Sequence, residues 1–220
     1  MAVLFNQHWD VAPGRMKPYS DDFIMTTYNP TLRSLGLELV GGYYVTVGMG
    51  PRIILVARTQ TMLALETAMS SSEFDAVTRQ LLEYVTSYHS KILVPTTSTA
   101  VEHYEVQGGL CKFTQYWDVL PHKVAEYRDF MEQEFVPGMH DVGMPVSGGW
   151  RVVVGSGPTM LTEASAPTLV DIARAIDTDT FRHIVRKLKT SYVTHYHSRI
   201  LHPTGRVELS RFLNDMLGSF

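Results

Sequence analysis

One cysteine in 220 residues, Cys111, rules out a disulfide within the chain and a thiolate metal cluster. Both exclusions fit a reducing, cytoplasmic setting. Cys111 sits in an apolar strand pattern and reads as a small buried hydrophobe rather than a nucleophile. Basic charge is also short. Lys and Arg number 19 against 22 Asp and Glu, a formal net charge of −3, so nothing here is equipped to neutralise a phosphate backbone and no nucleic-acid partner is expected. No apolar run reaches the roughly 18 residues that would read as a membrane span. The opening MAVLFNQHWD lacks a basic leader and reads as a strand rather than a signal peptide. Nucleotide and metal signatures are missing as well: there is no Gly-x-Gly-x-x-Gly, no P-loop, no Gly-x-Ser-x-Gly and no His-Glu-x-x-His. No cofactor and no metal are expected.

What is present is a repeat. YVTSYHSKILVPT at Tyr84 to Thr96 returns as YVTHYHSRILHPT at Tyr192 to Thr204, 108 positions later. QHWDV at Gln7 returns as QYWDV at Gln115. GGYYVTVGMGP at Gly41 returns as GGWRVVVGSGP at Gly148, now at a spacing of 107, and Phe74 matches Phe181 at that spacing too. Each copy is a unit of about 100 residues, in the size range of one compact repeat.

Within the first copy, Val3, Phe5, Gln7, Trp9 and Val11 alternate with Leu4, Asn6, His8 and Asp10, which predicts a strand. Pro13-Gly14 ends it. Met16 to about Leu35 suits a helix that Pro30 should disturb or end, with Gly36 as a C-cap glycine. Two strands follow, LELVGGYYVTVG and RIILVAR. A helical region then runs from Thr61 to about Ser90, divided at Ser70-Ser71-Ser72, where a serine caps a new start. Phe74, Val77, Leu81, Val85 and Tyr88 form one stripe of that helix. KILVP closes the copy as a short strand. Strand, helix, strand, strand, helix, strand is the ferredoxin-like split βαβ order. The expected fold is α+β: repeats over 1–97 and 110–206, a linker over 98–109, and a C-terminal amphipathic helix or tail over 207–220. The two open sheet faces press together into an intramolecular, pseudo-dimeric α/β barrel.

WDVAPGRM followed by LGLELVGGYYVTVGMGPRIILVAR, with ILxPT at Ile92 to Thr96, resembles the NIPSNAP-like branch of the dimeric α/β-barrel superfamily. The second copy keeps Gly148-Gly149-Trp150 and Ile200 to Thr204, but has Pro121-His122 in place of Pro-Gly. The resemblance implies a barrel whose relatives include cofactor-independent monooxygenases, small cyclases and isomerases, haem-binding proteins and many members with no known activity. It therefore implies fold more than chemistry. The family's copies typically carry an aromatic or acidic cluster on the third strand and the helix after it. Here the first copy has Arg58-Thr59-Gln60 and the second Glu163-Ala164-Ser165, so the halves differ where a site could lie.

The first strands carry the sharper chemical signal. Phe5 and Trp9, or Phe113 and Trp117, should pack on helices. That turns Asn6, His8 and Asp10, and Thr114, Tyr116 and Asp118, toward the interior. Buried polar groups need partners, and a histidine there can serve as a base near neutral pH. The alternative is that the strand ends are wet and both aspartates cap the next loop. His8, Asp10, Tyr116 and Asp118 are the candidate catalytic residues. Asn6, Tyr44, Arg58, Arg151, Glu163, His89 and His197 are the candidate ligand contacts. Tyr44 and Arg151 enter only if they, rather than Tyr43 and Trp150, face inward. Arg58 and Glu163 are nearly equivalent charges of opposite sign that either pair with each other or stand exposed. His89 and His197 fall in the last helical turn, where a histidine suits the negative end of the helix dipole. His195 and His197 could share a metal on a strand but not on a helix.

The reading is a barrel binding a small hydrophobic or aromatic molecule, with cofactor-independent oxygenation or proton transfer as its chemistry. The alternatives are a filled barrel serving assembly and a haem-binding barrel using one histidine. A homo-oligomer, with no membrane partner, is expected.

Overall fold

In the computed structural model of the protein, residues 3–96 and 109–205 are described. The expected linker, all but its last residue, and the expected C-terminal helix lie outside them. Eight strands are present: β1 (Val3–Val11), β2 (Glu38–Val47), β3 (Ile53–Thr59), β4 (Val85–Pro95), β5 (Cys111–Val119), β6 (Val146–Val154), β7 (Met160–Ala166) and β8 (Val193–Pro203). Within the first copy they are ordered β4-β1-β3-β2, and within the second β8-β5-β7-β6. Contacts divide the chain into two compact units. Of the described residues, the first holds 3–45, Gly50–Leu93 and 203–205, and the second holds Thr46–Met49, 94–96 and 109–202.

In the first unit, β1 pairs antiparallel with β3 and β4, and β3 with β2. The helix after β1 runs through Met16–Pro18, Tyr19–Tyr28 and Asn29–Ser34 without a break. Pro30 does not end it. Instead the stretch before Pro30 adopts wide, π-type turns, which relieve the clash a proline makes with the preceding turn. The second unit does the same, with π-type turns over Met131–Phe135 ahead of Pro137. Gly36, at φ +78°, ends the helix. Its N–H donates to Arg33 O, and that of Leu37 to Leu32 O.

The helical region after β3 divides at the serines: Met62–Met69, then Ser72–Leu82, with Ser71 Oγ accepting from Phe74 N at 3.1 Å. Phe74, Val77 and Leu81 are buried as expected. Val85 and Tyr88 are not part of that stripe, because the helix stops at Leu82 and β4 begins at Val85. Leu81 to Val85 is four residues and Val85 to Tyr88 three, both helical spacings, so the pattern continues the stripe past the end of the helix. Alternation through Tyr88, Ser90, Ile92 and Val94 is the true pattern. The repeated thirteen residues are therefore one long strand in each unit, and His89 and His197 lie on strands, not in a last helical turn.

The repeat's ends have a physical reason. Thr204 N donates to Gly42 O (2.7 Å) in the first unit, and Thr96 N to Gly149 O (2.9 Å) in the second. Each Pro-Thr thus fastens to a Gly-Gly. A Cβ on Gly41 would lie 2.5 Å from the Tyr43 ring, and one on Gly148 2.6 Å from Trp150 Nε1, so the aromatic two residues on folds over a bare backbone.

Helices cover one face of each sheet. In the first unit Trp9 Nε1 donates to Tyr19 OH (3.0 Å), while Tyr28 and Tyr88 hydroxyls both donate to Gln7 Oε1. In the second, Trp117 Nε1 donates to Tyr127 OH (3.1 Å) and Tyr196 OH to Gln115 Oε1 (2.8 Å). These polar tips let large aromatic bodies be buried without orphaned groups of their own. Cys111 belongs to this layer with Phe113, Phe135 and Leu188, and burial pushes its thiol up, with Asp171 adding to the effect.

Candidate functional site

Residues directly opposite on paired strands share a face, so the ladders define what each sheet presents away from its helices. In the first unit, Leu4 lies opposite Arg58 and Leu93, Asn6 opposite Val56 and Lys91, and His8 opposite Ile54 and His89. In the second, Lys112 lies opposite Ser165 and Leu201, Thr114 opposite Glu163 and Arg199, and Tyr116 opposite Leu161 and His197. The alternation read from the sequence holds: Phe5, Trp9, Phe113 and Trp117 are on the helix side.

The second unit's face is the more charged. Lys112 Nζ and Glu163 Oε2 are 3.2 Å apart, with side chains 4% and 3% exposed. Next to the pair, the Tyr116 and His197 rings stack at 4.7 Å between centroids and 8° between planes. The Arg199 guanidinium lies 5.3 Å from the Tyr116 ring centroid on this same unit. Burial pushes the Tyr116 phenol up despite Arg199 beside it, so it stays protonated and can donate. A carboxylate, an ammonium, a phenol, an imidazole and a guanidinium thus share one patch of β5, β7 and β8. Such a set can bind a planar molecule, hold a charge on it and shuttle a proton.

Lys112 was not singled out from sequence. Its signal was available in the repeat: Leu4 becomes Lys112 and Val56 becomes Glu163 at matching ladder positions. Arg58 and Glu163, taken above as near equivalents, are two positions apart in register. Arg58 matches Ser165, and Arg58 Nε donates to Glu38 Oε2 at 3.0 Å while Glu163 pairs with Lys112. They do not stand as two exposed charges: Arg58 is half-buried and Glu163 is buried. Tyr43 and Trp150, both buried, occupy the helix-free face, opposite Ile54 and Leu161. Tyr44 and Arg151 fall on the other face, half-buried and exposed respectively.

Asn6 and His8 are buried in the first unit. His89, opposite His8, is exposed. Asp10 and Asp118 sit at strand ends and tie neighbouring segments together. Asp10 accepts from Arg52 N (2.8 Å) and Ser87 Oγ (3.0 Å). Asp118 Oδ1 accepts from Thr159 N and Oγ1, both at 2.8 Å, and Oδ2 faces His195 Nδ1 at 3.0 Å. His195 does lie on a strand with His197. However, its backbone is left-handed (φ 53°) at a register shift and its side chain turns out to Asp118, while His197 stacks on Tyr116. Among the described residues no cluster of three metal-ligating side chains occurs.

No family model matches the chain, and no curated protein does. Solved structures do. A putative monooxygenase from Lactobacillus acidophilus NCFM is similar at a TM-score of 0.60 and 11% identity, over 92% of this chain and 93% of that one. An anthrone oxidase-like protein is similar at 0.61 and 12%, over 92% and 91%. A mutant chlorite dismutase from Candidatus Nitrospira defluvii is similar at 0.62 and 7%, over 96% and 94%. The fold is the dimeric α/β barrel. At these identities the likeness extends to the fold alone, the one that the sequence resemblance implied.

Proposed function

We propose that the helix-free face of the second unit binds a small aromatic or hydrophobic molecule and moves a proton to or from it. The observation that carries this reading is the buried Lys112–Glu163 pair. A buried ion pair is often no more stable than apolar side chains of similar volume, and the first unit supplies the apolar alternative itself, Leu4 and Val56. Stability therefore does not account for the pair. In this reading Glu163, paired with Lys112, is the proton acceptor. Tyr116 donates to the molecule's oxygen, and the Tyr116, His197 and Trp150 rings make a planar seat. Solved neighbours named as a putative monooxygenase and an anthrone oxidase-like protein show that this fold accompanies such names, and support the reading only to that extent.

Haem fits these residues less well. Among the described residues of the second unit His122, His140, His183, His195 and His202 are exposed and His197 stacks on Tyr116, so an iron ligand would have to come from the polar face. An assembly role remains the competing reading. Among the described residues no helix is long and apolar enough to cross a membrane.

The test is native mass spectrometry of the purified protein together with titration of 1-naphthol, followed by tryptophan fluorescence. A co-purified small molecule or saturable quenching is expected. Glu163→Gln and Tyr116→Phe should each weaken binding at least about tenfold, the size of one lost charge-assisted hydrogen bond. A protein with no adduct and no saturable response would favour assembly. A Soret band on adding haem, lost in His197→Ala, would favour the haem reading.

A further inference from the structure

We propose that the groove on the outer side of the second unit is a docking site for an acidic amphipathic helix from a protein partner. This inference is independent of the site above. The groove, of about 880 Å³, lies between the helices Leu169–Ile176 and Asp179–Ser191 and reaches Ile200 of β8. Its apolar lining includes Ile176, Val185 and Ile200, all half-buried rather than covered.

One edge is cationic. Arg182, Arg186 and Lys189 recur at intervals of four and three along a single helix, which puts them on one stripe spanning about 10 Å. Arg182 is already paired with Asp177 and Asp179. Lys189 rests over the Tyr196 ring, 5.2 Å from its centroid. Arg186 makes no ion pair among the described residues, and Asp177 is the one acid in the lining. Arg186 and Lys189, one turn apart beside an apolar floor, complement carboxylates at helical spacing rather than a single anionic headgroup.

The first unit again provides the contrast. The positions matching Arg182, Arg186 and Lys189 are Asp75, Arg79 and Leu82, and Arg79 pairs with Asp75 at 2.8 Å. That edge is neutral, and Thr78 stands where Val185 is. The cationic, apolar groove is a property of the second copy only.

The experiment uses the full chain and two fluorescein-labelled fifteen-residue helical peptides. Both carry leucines at helical spacing, and they differ in having glutamate or lysine along the flanking edge. Fluorescence anisotropy at low salt should show the glutamate peptide binding at least tenfold more tightly than the lysine peptide. Arg186→Glu with Lys189→Glu should weaken the glutamate peptide at least tenfold, with an unchanged melting temperature. Val185→Glu, on the floor, should weaken it as well. Equal binding of the two peptides, no binding, or binding untouched by these variants would overturn the proposal. So would binding to phosphatidylglycerol vesicles without binding to the peptide, which would indicate a membrane surface.

Discussion

The two units share their frames and differ in what the helix-free face presents. Gln7, Trp9, Tyr19 and Tyr88 on one side correspond to Gln115, Trp117, Tyr127 and Tyr196 on the other, bond for bond. The Gly-Gly and Pro-Thr fastenings are likewise common to both. On the face away from the helices the agreement fails along the first and third strands of each copy, Leu4 against Lys112, Asn6 against Thr114, His8 against Tyr116 and Val56 against Glu163, while the last strands keep Leu93 as Leu201 and His89 as His197. Residues that close a unit must satisfy the same packing twice. Residues on the other face are free of that demand, and the proposed site lies among those that diverge.

The ion pair offers the largest test of that contrast. Lys112→Met removes one partner of a buried ion pair and should cost about 3–5 kcal/mol of stability, measured by urea unfolding. The double variant Lys112→Leu with Glu163→Val installs the first unit's residues. It should instead lie between neutral and about 1–4 kcal/mol more stable than the parent, while losing 1-naphthol binding. If the double variant proves as damaged as the single one, the pair is structural and the contrast between the faces loses its functional meaning.

Much of this was legible before any coordinates. The repeat, the alternation in the first strand, the serine cap and the Gly36 stop are local patterns, and local patterns survive folding. Three points were not. Intervals of four and three, from Leu81 to Val85 to Tyr88, are helical spacings, so the pattern extends a helix that in fact ends at Leu82. Ladder register depends on bulges, and the irregularities at Leu39–Gly41 and Val146–Gly148 are invisible in a string of letters. The counterpart of Arg58 at the 107 spacing is Ser165, not Glu163. A lysine beside Cys111 at the head of a strand looks like an exposed edge charge. Only its pairing with Glu163 shows otherwise.

The shared frame is open to a smaller test. Ser71 and Thr178 cap matching helices, accepting from Phe74 N at 3.1 Å and Phe181 N at 3.2 Å. Ser71→Ala and Thr178→Ala should each cost about 1 kcal/mol, and should cost the same. Unequal losses in thermal unfolding would mean that the two frames are less alike than their bonds suggest.

The smallest expected effect is a difference in acid sensitivity at one strand end. Burial works to raise the Asp118 carboxyl, but hydrogen bonds from Thr159 N–H and Oγ–H, and then His195, outweigh it and hold it below the ordinary value of 3.8. A carboxyl depressed in the folded state contributes stability that is present above its unfolded pKa and is lost as the pH falls through the folded one. The loss should therefore set in below about pH 4. Asp118→Asn should remove that part of the pH dependence between pH 5 and pH 2.5 in urea unfolding. His195→Ser, which copies the first unit's Ser87, should shrink it only in part, because the two Thr159 hydrogen bonds remain. An acid limb unchanged in Asp118→Asn would assign the sensitivity to other carboxyls and remove this strand end from the differences between the copies.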